Sequence, residues 1–265
     1  MRRVYKKKKY LFGLIVIVAL AALLYLILPD RGVTDGQYSR TGTPGAAQIP
    51  SSGFNKNAYP TDKADSLWVV VNKGRTLPGS YVPANLVVPH IMLQGASTDS
   101  NMHVRADTAA ALEQLVDGAQ NQGIDLMLLS GYRSYDYQVG VYSAFVRQDE
   151  VQNADTFSAR PGHSEHQTGL AADLGAAAGK CALDQCFGDL PEGKWLAQNA
   201  YKYGFIIRYQ KNTQNLTGYE YEPWHVRYVG QPLAAKLQVS GQTLEQFFGL
   251  PTYTDYPVQS LTLKS

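Results

Sequence analysis

The chain has 265 residues, of which 45% are hydrophobic and 17% are charged, so it can bury a sizeable core and wholesale disorder is excluded. Its formal net charge is +2, but six of its 24 basic residues lie within residues 1–9, which leaves 18 basic against 22 acidic residues elsewhere. A mildly acidic body lacks the basic surface that binds phosphate backbones, so we expect no nucleic-acid partner.

The basic tail, residues 1–9, stands directly before an uncharged apolar run at residues 11–28. A helix of this length spans roughly 27 Å, close to the thickness of about 30 Å of the hydrocarbon layer of a bilayer. We therefore predict a transmembrane anchor over residues 10–28, with the basic tail in the cytoplasm and the remainder outside it. A cleaved signal peptide is the alternative, because residues 19–21 (Ala-Leu-Ala) have the spacing of a cleavage site.

Residues 29–63 are rich in Gly, Pro, Ser and Thr and show no apolar periodicity, which predicts a flexible linker. From residue 64 the pattern is that of a folded domain, which we expect to extend over residues 64–265. Short apolar runs predict strands at residues 67–71, 124–129, 205–209 and 221–229. Apolar stripes at helical spacing predict helices at residues 107–122, 134–148, 192–203, 232–239 and 243–248.

Local signals refine these helices. Asp107 or Thr108 can cap the first one, and Gly123 ends it. In the second helix, Val139 and Phe145 are expected on or near the inner face. Because helices and strands do not strictly alternate, the chain predicts an α+β fold with a mainly antiparallel sheet and flanking helices.

Two cysteines, Cys181 and Cys186, lie in the part of the chain predicted to be exported. An even number of cysteines in an oxidising compartment predicts a disulfide. The closed loop is short, so we expect it to shape a local turn more than to stabilise the fold.

Two segments concentrate polar residue types that bind metals. SEHQTGLAADLG, residues 164–175, holds His166 and Asp173, and YEPWHVRY, residues 221–228, holds Glu222 and His225. A catalytic zinc site needs three protein ligands, an open position for water and a nearby base, and this inventory is sufficient. From composition alone, a histidine and an aspartate seven residues apart are more often structural than metal ligands.

The spacing of Glu222 and His225 requires a local distortion if both face one centre. Residues three apart on a straight strand point to opposite faces of the sheet. On a helix they would share one face, but Pro223 biases Glu222 away from helical geometry. We therefore predict a bend of the backbone near Pro223 and Trp224.

Arg133 follows a predicted buried strand and stands beside a glycine and two tyrosines. A guanidinium in this place suits bidentate binding of a carboxylate. A surface arginine stacked on Tyr132 or Tyr135 is an equally open interpretation.

The chain resembles the VanY-type D-alanyl-D-alanine carboxypeptidases, within the wider group of lysostaphin-like, D-Ala-D-Ala and hedgehog-like metallopeptidase folds. The matching segments are NKGRTLPGSYVPANLV, SGYRSYDYQ, ARPGHSEHQTGLAADL, NAYKYGFIIRY and TGYEYEPWHVRYVG. They cover roughly residues 64–250, and both zinc-bearing motifs match over about ten positions each. The CALDQC segment between these motifs is outside the pattern and is expected to form a rim that affects which peptide fits.

The resemblance implies a role for each matching residue. It implies that one Zn²⁺ per chain is held by His166, Asp173 and His225, that Glu222 is the general base, and that Arg133 binds the substrate's terminal carboxylate or the carbonyl under attack. Further substrate contacts implied by the resemblance are Gln138, Ser164 and Trp224.

The implied activity is removal of the C-terminal D-Ala from peptidoglycan stem peptides, at the bacterial cell membrane with the catalytic domain outside the cytoplasm. The same apparatus serves an L,D-carboxypeptidase or an endopeptidase, so these alternatives stay open. A non-catalytic cell-wall-binding module is a third possibility, although such modules usually lose a ligand or the base.

Overall fold

The structure, a computed structural model, describes residues 54–265. The described helices are α1 (Ala106–Gln120), α2 (Tyr135–Ala154), α3 (Pro191–Asn199), α4 (Gln214–Thr217), α5 (Gln231–Ser240) and α6 (Leu244–Phe248). The described strands are β1 (Arg75–Thr76), β2 (Leu86–Val87), β3 (Val104–Arg105), β4 (Leu126–Ser130), β5 (Ala171–Ala176), β6 (Phe205–Tyr209), β7 (Glu222–Tyr228) and β8 (Leu261–Thr262). Short 3₁₀ helices cover Ser100–Met102, Glu165–Thr168, Gln185–Asp189 and Ala200–Tyr203.

The central sheet has four antiparallel strands in the order β4-β5-β7-β6. Two small two-stranded sheets, β1 with parallel β8 and β2 with antiparallel β3, lie outside it. This mixed architecture around an antiparallel sheet agrees with the prediction from the sequence. The central pair, β5 and β7, carries Asp173, Glu222 and His225 of the predicted site.

The main core lies between the sheet and α1. The apolar stripe of α1, which includes Leu112 and Leu115, packs in one cluster with Leu128 of β4 and Leu174 of β5. A second cluster joins Trp68 and its neighbours to α5 and α6. Strands β5 and β7 are thus held by packed neighbours, which fixes the positions of the side chains at their ends.

The predicted strand at residues 67–71 is wrong. The segment is buried, with Val69, Val70 and Val71 fully covered, but it pairs with no strand. Arginine side chains satisfy part of its backbone instead: Arg227 Nη2 donates to the carbonyl of Val69 at 2.7 Å, and Arg75 Nε donates to that of Val70 at 2.9 Å. An apolar run shows burial but does not show which groups satisfy its backbone.

Other boundaries differ from the expectation by small amounts. Helix α1 begins at Ala106 with Arg105 as its N-cap residue, and neither Asp107 nor Thr108 caps it. The side chain of Asp107 is bound to Arg105 and to the Thr108 amide. Val139 of α2 is exposed rather than on an inner face. The predicted bounds of α5 and α6 agree to within one residue.

Residues 54–63, at the end of the predicted linker, contact the domain. The Phe54 ring stacks on Trp68 with 5.4 Å between centroids, and Tyr59 meets the same ring edge to face. The carbonyl of Thr61 accepts hydrogen bonds from the Val70 amide and from Arg75. Residues 54–63 therefore pack against the domain that the sequence predicts from residue 64.

Among residues 54–265, no helix is both long enough and apolar enough to cross a membrane. The predicted anchor at residues 10–28 and the basic tail lie outside the described residues.

Candidate metal centre

Three side chains meet where β5, β7 and the 3₁₀ helix Glu165–Thr168 come together. His166 lies on the 3₁₀ helix, Asp173 lies on β5, and His225 lies directly opposite Asp173 on β7. Each offers one metal-ligating atom, and these atoms all lie within 4.8 Å of one another. All three side chains are buried. The structure thus brings the three predicted ligands to one place.

The carbonyl of Gly131 sets the proton position on His166. Nδ1 of His166 lies 2.6 Å from this oxygen, and since a carbonyl only accepts, Nδ1 carries the proton. Nε2 therefore presents a lone pair, 3.2 Å from Oδ2 of Asp173. This nitrogen is buried and has no hydrogen-bond partner. A buried lone pair facing a carboxylate is costly unless a cation is bound between them.

His225 faces the same centre through Nδ1, whereas His166 faces it through Nε2. Nδ1 of His225 lies 3.1 Å from Oδ1 of Asp173 and 3.8 Å from Oε2 of Glu222. The two imidazole rings are edge to face, with 4.9 Å between the centroids of His166 and His225. Glu222, the predicted base, therefore adjoins the ligand cluster.

An irregularity in β7 allows Glu222 and His225 to face one centre. In the pairing of β6 with β7, Ile207 lies opposite Val226, but Tyr209 lies opposite Glu222, so β7 holds two extra residues in this interval. Bulges of this kind bend a strand and redirect its side chains. The register shift falls where the sequence predicts the bend, around Pro223 and Trp224.

Burial and mutual charge set the protonation of the ligands. Burial, with the charge of Arg133, lowers the pKa of His166 to about 4, so this imidazole is neutral at pH 7. Burial raises the pKa of Asp173, but its contacts with His166, His225 and Arg133 outweigh burial and hold it well below the usual range. A neutral imidazole beside an ionised carboxylate is the state in which both can bind a cation.

The remaining two groups are shifted in the other direction. Burial lowers the pKa of His225, but the carboxylates of Asp173 and Glu165 outweigh it and raise that pKa to about 9. Burial raises the pKa of Glu222 to about 8. A carboxyl group with such a pKa can take up and release a proton near neutral pH.

The donor set fits a catalytic zinc ion. Two imidazole nitrogens and one carboxylate oxygen are protein ligands that zinc enzymes use, and a fourth position then stays open for water. The unpartnered Nε2 of His166 is the observation that supports a bound cation here. Among the described residues, this is the cluster of histidine and acidic side chains with the geometry of a metal site.

Known proteins are similar to this chain in the region that holds the site. The family profile described as VanY, D-alanyl-D-alanine carboxypeptidase, matches residues 101–231, which include all four site residues. YodJ of Bacillus subtilis (strain 168) is 42% identical over 184 residues, which cover 69% of the chain and 67% of YodJ.

The chain belongs to the VanY family.

Two solved structures extend this comparison. The LD-carboxypeptidase LdcB is 41% identical with a TM-score of 0.67, over 72% of the chain and 89% of LdcB. A mutant of the vancomycin resistance D,D-pentapeptidase VanY in complex with Zn(II) is 29% identical with a TM-score of 0.56, over 68% of the chain and 97% of VanY. The VanY-family chain is thus a metallopeptidase related both to an LD-carboxypeptidase and to a D,D-pentapeptidase.

Arg133 of this VanY-family chain lies in the wall of the site. Its Nη2 is 3.0 Å from Oδ2 of Asp173, and its Nη1 donates to Oε1 of Gln138 at 3.2 Å. The amide of Gln138 in turn donates to the carbonyl of Ala159 at 2.8 Å. Gln138 therefore fixes the position of Arg133. Direct contact of Gln138 with a substrate stays a prediction.

The site opens into a cleft of about 570 Å³. Ser164 and Trp224, predicted as substrate contacts, both line it, as do Glu222 and the three candidate ligands. Aromatic and aliphatic residues cover much of the remaining wall: Val141, Phe145, Phe157, Leu183, Tyr209, Tyr219 and Tyr221. A mixed apolar and polar cleft of this size suits a short peptide.

The disulfide between Cys181 and Cys186 closes a loop at the edge of the cleft. Leu183, Asp184 and Gln185 of this loop line the cleft, and the Gln185 amide donates to Glu220 across it at 3.2 Å. The CALDQC segment therefore forms part of the rim, where the sequence predicts it.

Sequence reasoning missed Glu165, the residue before His166. Its carboxylate is fully buried and contacts Arg208 at 2.9 Å and Arg227 at 2.8 Å, and it approaches His225. The signal was present in the strands: FIIRY and HVRY each place an arginine in an apolar run, and buried arginines need acidic partners.

Proposed function

We propose that the chain is a zinc-dependent D-alanyl-D-alanine carboxypeptidase that removes the C-terminal D-Ala of peptidoglycan stem peptides. The observation that carries this proposal is the convergence of His166, Asp173 and His225 beside Glu222 in one cleft. Membership of the VanY family and the zinc complex of a VanY relative support both the metal and the substrate. The presence of all three ligands and the base argues against a non-catalytic wall-binding module.

Zinc, when bound by the three ligands, supplies a Lewis acid that lowers the pKa of a water molecule to about 7. Glu222 stands beside this position and accepts the proton of the water that attacks the last peptide bond. Glu222 then passes this proton to the leaving amine.

Arg133 explains selectivity for the end of a chain. Its guanidinium is part of the cleft wall, is held by Gln138 and carries a positive charge beside the ligand cluster. A free C-terminal carboxylate on the residue beyond the scissile bond is a suitable partner for its remaining donors. An amidated or extended peptide lacks that charge and loses this interaction.

A second candidate is an L,D-carboxypeptidase acting on the tetrapeptide stem. The comparison with LdcB favours it, because LdcB has both a higher identity and a higher TM-score than the VanY structure. The ligands and base do not distinguish the two activities, because the same chemistry cleaves either bond. The difference must come from the shape of the cleft around the side chain before the scissile bond.

The deciding experiment is product analysis by mass spectrometry. The purified full-length protein is incubated with pentapeptide and tetrapeptide stems, each with added zinc and with a chelator. A D,D-carboxypeptidase converts the pentapeptide to the tetrapeptide, in a reaction that stops with chelator, and leaves the tetrapeptide intact. Conversion of the tetrapeptide to the tripeptide without attack on the pentapeptide would replace the proposal by the second candidate.

We also propose that residues 10–28 anchor the enzyme in the bacterial cell membrane, with the catalytic domain outside the cytoplasm. The uncharged apolar run and the six basic residues before it support this topology. The experiment is to treat intact cells with a protease that cannot cross the membrane. Digestion of the catalytic domain with retention of the anchor in the membrane fraction is expected, and protection of the domain would contradict the topology.

A further inference from the structure

We propose that Glu165 is a positioning residue that selects the metal-binding form of His225. The proposal rests on the proposed function only in taking His225 as a ligand. The motivating observation is that the two nitrogens of this ring have different surroundings. Nδ1 faces Asp173 and Glu222 in the ligand cluster, whereas Nε2 faces Oε2 of Glu165 at 3.5 Å on the side away from it.

The facing atoms of His225 and Glu165 are both buried, and neither has a hydrogen-bond partner. A carboxylate oxygen only accepts, so it can be satisfied here by a proton on Nε2. A neutral imidazole protonated on Nε2 has its lone pair on Nδ1, the nitrogen that faces the cluster. Glu165 therefore stabilises the tautomer that can bind a cation.

His166 provides a contrast within the same site. There the Gly131 carbonyl accepts a hydrogen bond from Nδ1, which leaves Nε2 for the metal. The two histidines thus bind through opposite nitrogens, and each is fixed by an acceptor on its far side. In metal sites, partners of this kind commonly change metal affinity by about 10- to 100-fold when removed.

Two buried arginines hold the Glu165 carboxylate in place. Oε1 accepts hydrogen bonds from Nε of Arg208 at 2.9 Å and from Nη1 of Arg227 at 2.8 Å. Arg208 is itself bound by both oxygens of Glu245, at 2.6 and 3.1 Å. All four side chains are essentially inaccessible to solvent. With Oε1 used by the arginines, Oε2 is directed to His225.

Glu165→Gln tests the proposal directly because the two arginines determine the orientation of the new side-chain amide. Both arginines donate, so the amide oxygen must take the place of Oε1, and the NH₂ group then faces Nε2 of His225. A donor in that place cannot accept the Nε2 proton and favours the opposite tautomer. The matched control is Glu245→Gln, which removes a charge from the same buried network without touching His225.

The test measures the zinc dissociation constant of the full-length protein by competition with a chelator, using zinc alone and no substrate. We expect Glu165→Gln to raise the constant at least 10-fold, and Glu245→Gln to leave it within about 3-fold of wild type. Equal constants for the two variants, or no change in Glu165→Gln, would overturn the proposal.

A second measurement requires no variant and covers the case in which Glu165→Gln does not fold. The ring nitrogens of the zinc-loaded wild-type protein are observed by NMR after labelling histidine with ¹⁵N. We expect His225 to carry its proton on Nε2 and His166 to carry its proton on Nδ1. A proton on Nδ1 of His225 would overturn the proposal. Because neither readout uses a peptide, failure of the proposed cleavage reaction would not alter these outcomes.

Discussion

Glu222 and Glu165 show how the surroundings of a carboxyl group decide its use. Burial raises the pKa of Glu222, and the neighbouring Asp173 adds to this effect. Glu165 is buried more deeply still, but Arg208 and Arg227 outweigh burial and lower its pKa. Glu222 can therefore exchange protons near neutral pH, while Glu165 stays ionised.

At the residue scale, Glu222→Gln is predicted to reduce kcat by roughly 10²- to 10⁴-fold, the usual contribution of a general acid–base group. Zinc content should stay at the wild-type level, because the three ligands are unchanged. Steady-state kinetics and metal analysis of the same sample measure both quantities. The matched control is Glu220→Gln, which changes a nearby acid on the rim and should leave kcat close to wild type. A Glu222→Gln enzyme with near-normal turnover would exclude the proposed base.

Arg133→Ala is predicted to lower kcat/KM at least 10-fold on peptides with a free C-terminal carboxylate, since a charged hydrogen bond contributes about 1.5–3 kcal/mol. The loss on amidated peptides should be much smaller. Because Arg133 also contacts Asp173, the zinc content of the variant has to be checked. Equal losses on both kinds of peptide at full zinc content would show that Arg133 does not recognise the carboxylate.

At the level of single elements, the bulge in β7 and the loop closed by the disulfide have separate roles in the site. The bulge places Glu222 and His225 at the reacting centre. The loop contributes Leu183, Asp184 and Gln185 to the outer wall of the cleft and provides no candidate metal ligand. Changes in the loop should therefore affect binding of the peptide more than the chemical step.

Replacement of Cys181 and Cys186 by serine is predicted to raise KM for pentapeptide stems several-fold, with little change in kcat. Loss of the short loop constraint should cost about 2 kcal/mol of stability. Kinetics on a pentapeptide and on a short acylated D-Ala-D-Ala dipeptide compare a substrate that reaches the rim with one that does not. A large fall in kcat on both substrates would show that the loop also affects the chemical step, which would contradict the prediction.

The elements that sequence patterns predicted well are those with local end signals. Helix α3 with its 3₁₀ extension agrees with the predicted range 192–203 to within one residue, and it ends before Gly204, which adopts a left-handed conformation. The apolar run at residues 67–71 was misread because its carbonyls are bound by arginine side chains and not by a strand, and one of these, Arg227, is distant in sequence. Glu165 was missed for a similar reason, since its role depends on Arg208 and Arg227, which lie in other elements far along the sequence. Spacing within a segment carries no information about such partners.

At the scale of the whole molecule, a buried network of charges connects the site to helix α6. It runs from His225 through Glu165 and Arg208 to Glu245 of α6, which also accepts a hydrogen bond from Asn72 at 3.1 Å. Removal of one partner from such a network leaves an uncompensated buried charge, which costs several kcal/mol. The network should therefore make the fold sensitive to acid.

Burial raises the pKa of Glu245, but Arg208 and Asn72 outweigh it and the pKa in the folded protein is lowered. A lowered pKa stabilises the fold above the unfolded value of about 4.5, and this stabilisation is lost as the pH falls through the folded value. Glu245→Gln is predicted to unfold about 3 kcal/mol more easily at pH 7 and to lose less stability than wild type below pH ~4.5. Urea denaturation with a chelator present measures both, and parallel pH dependences would contradict the prediction.

Anomalous diffraction at the zinc edge, from crystals of the zinc-loaded protein, tests the metal centre most directly. We predict one anomalous peak per chain, enclosed by Nε2 of His166, the carboxylate of Asp173 and Nδ1 of His225, with Glu222 beside it but not bound to it. A peak elsewhere, or no peak among these three side chains after zinc loading, would show that these residues are not the metal ligands.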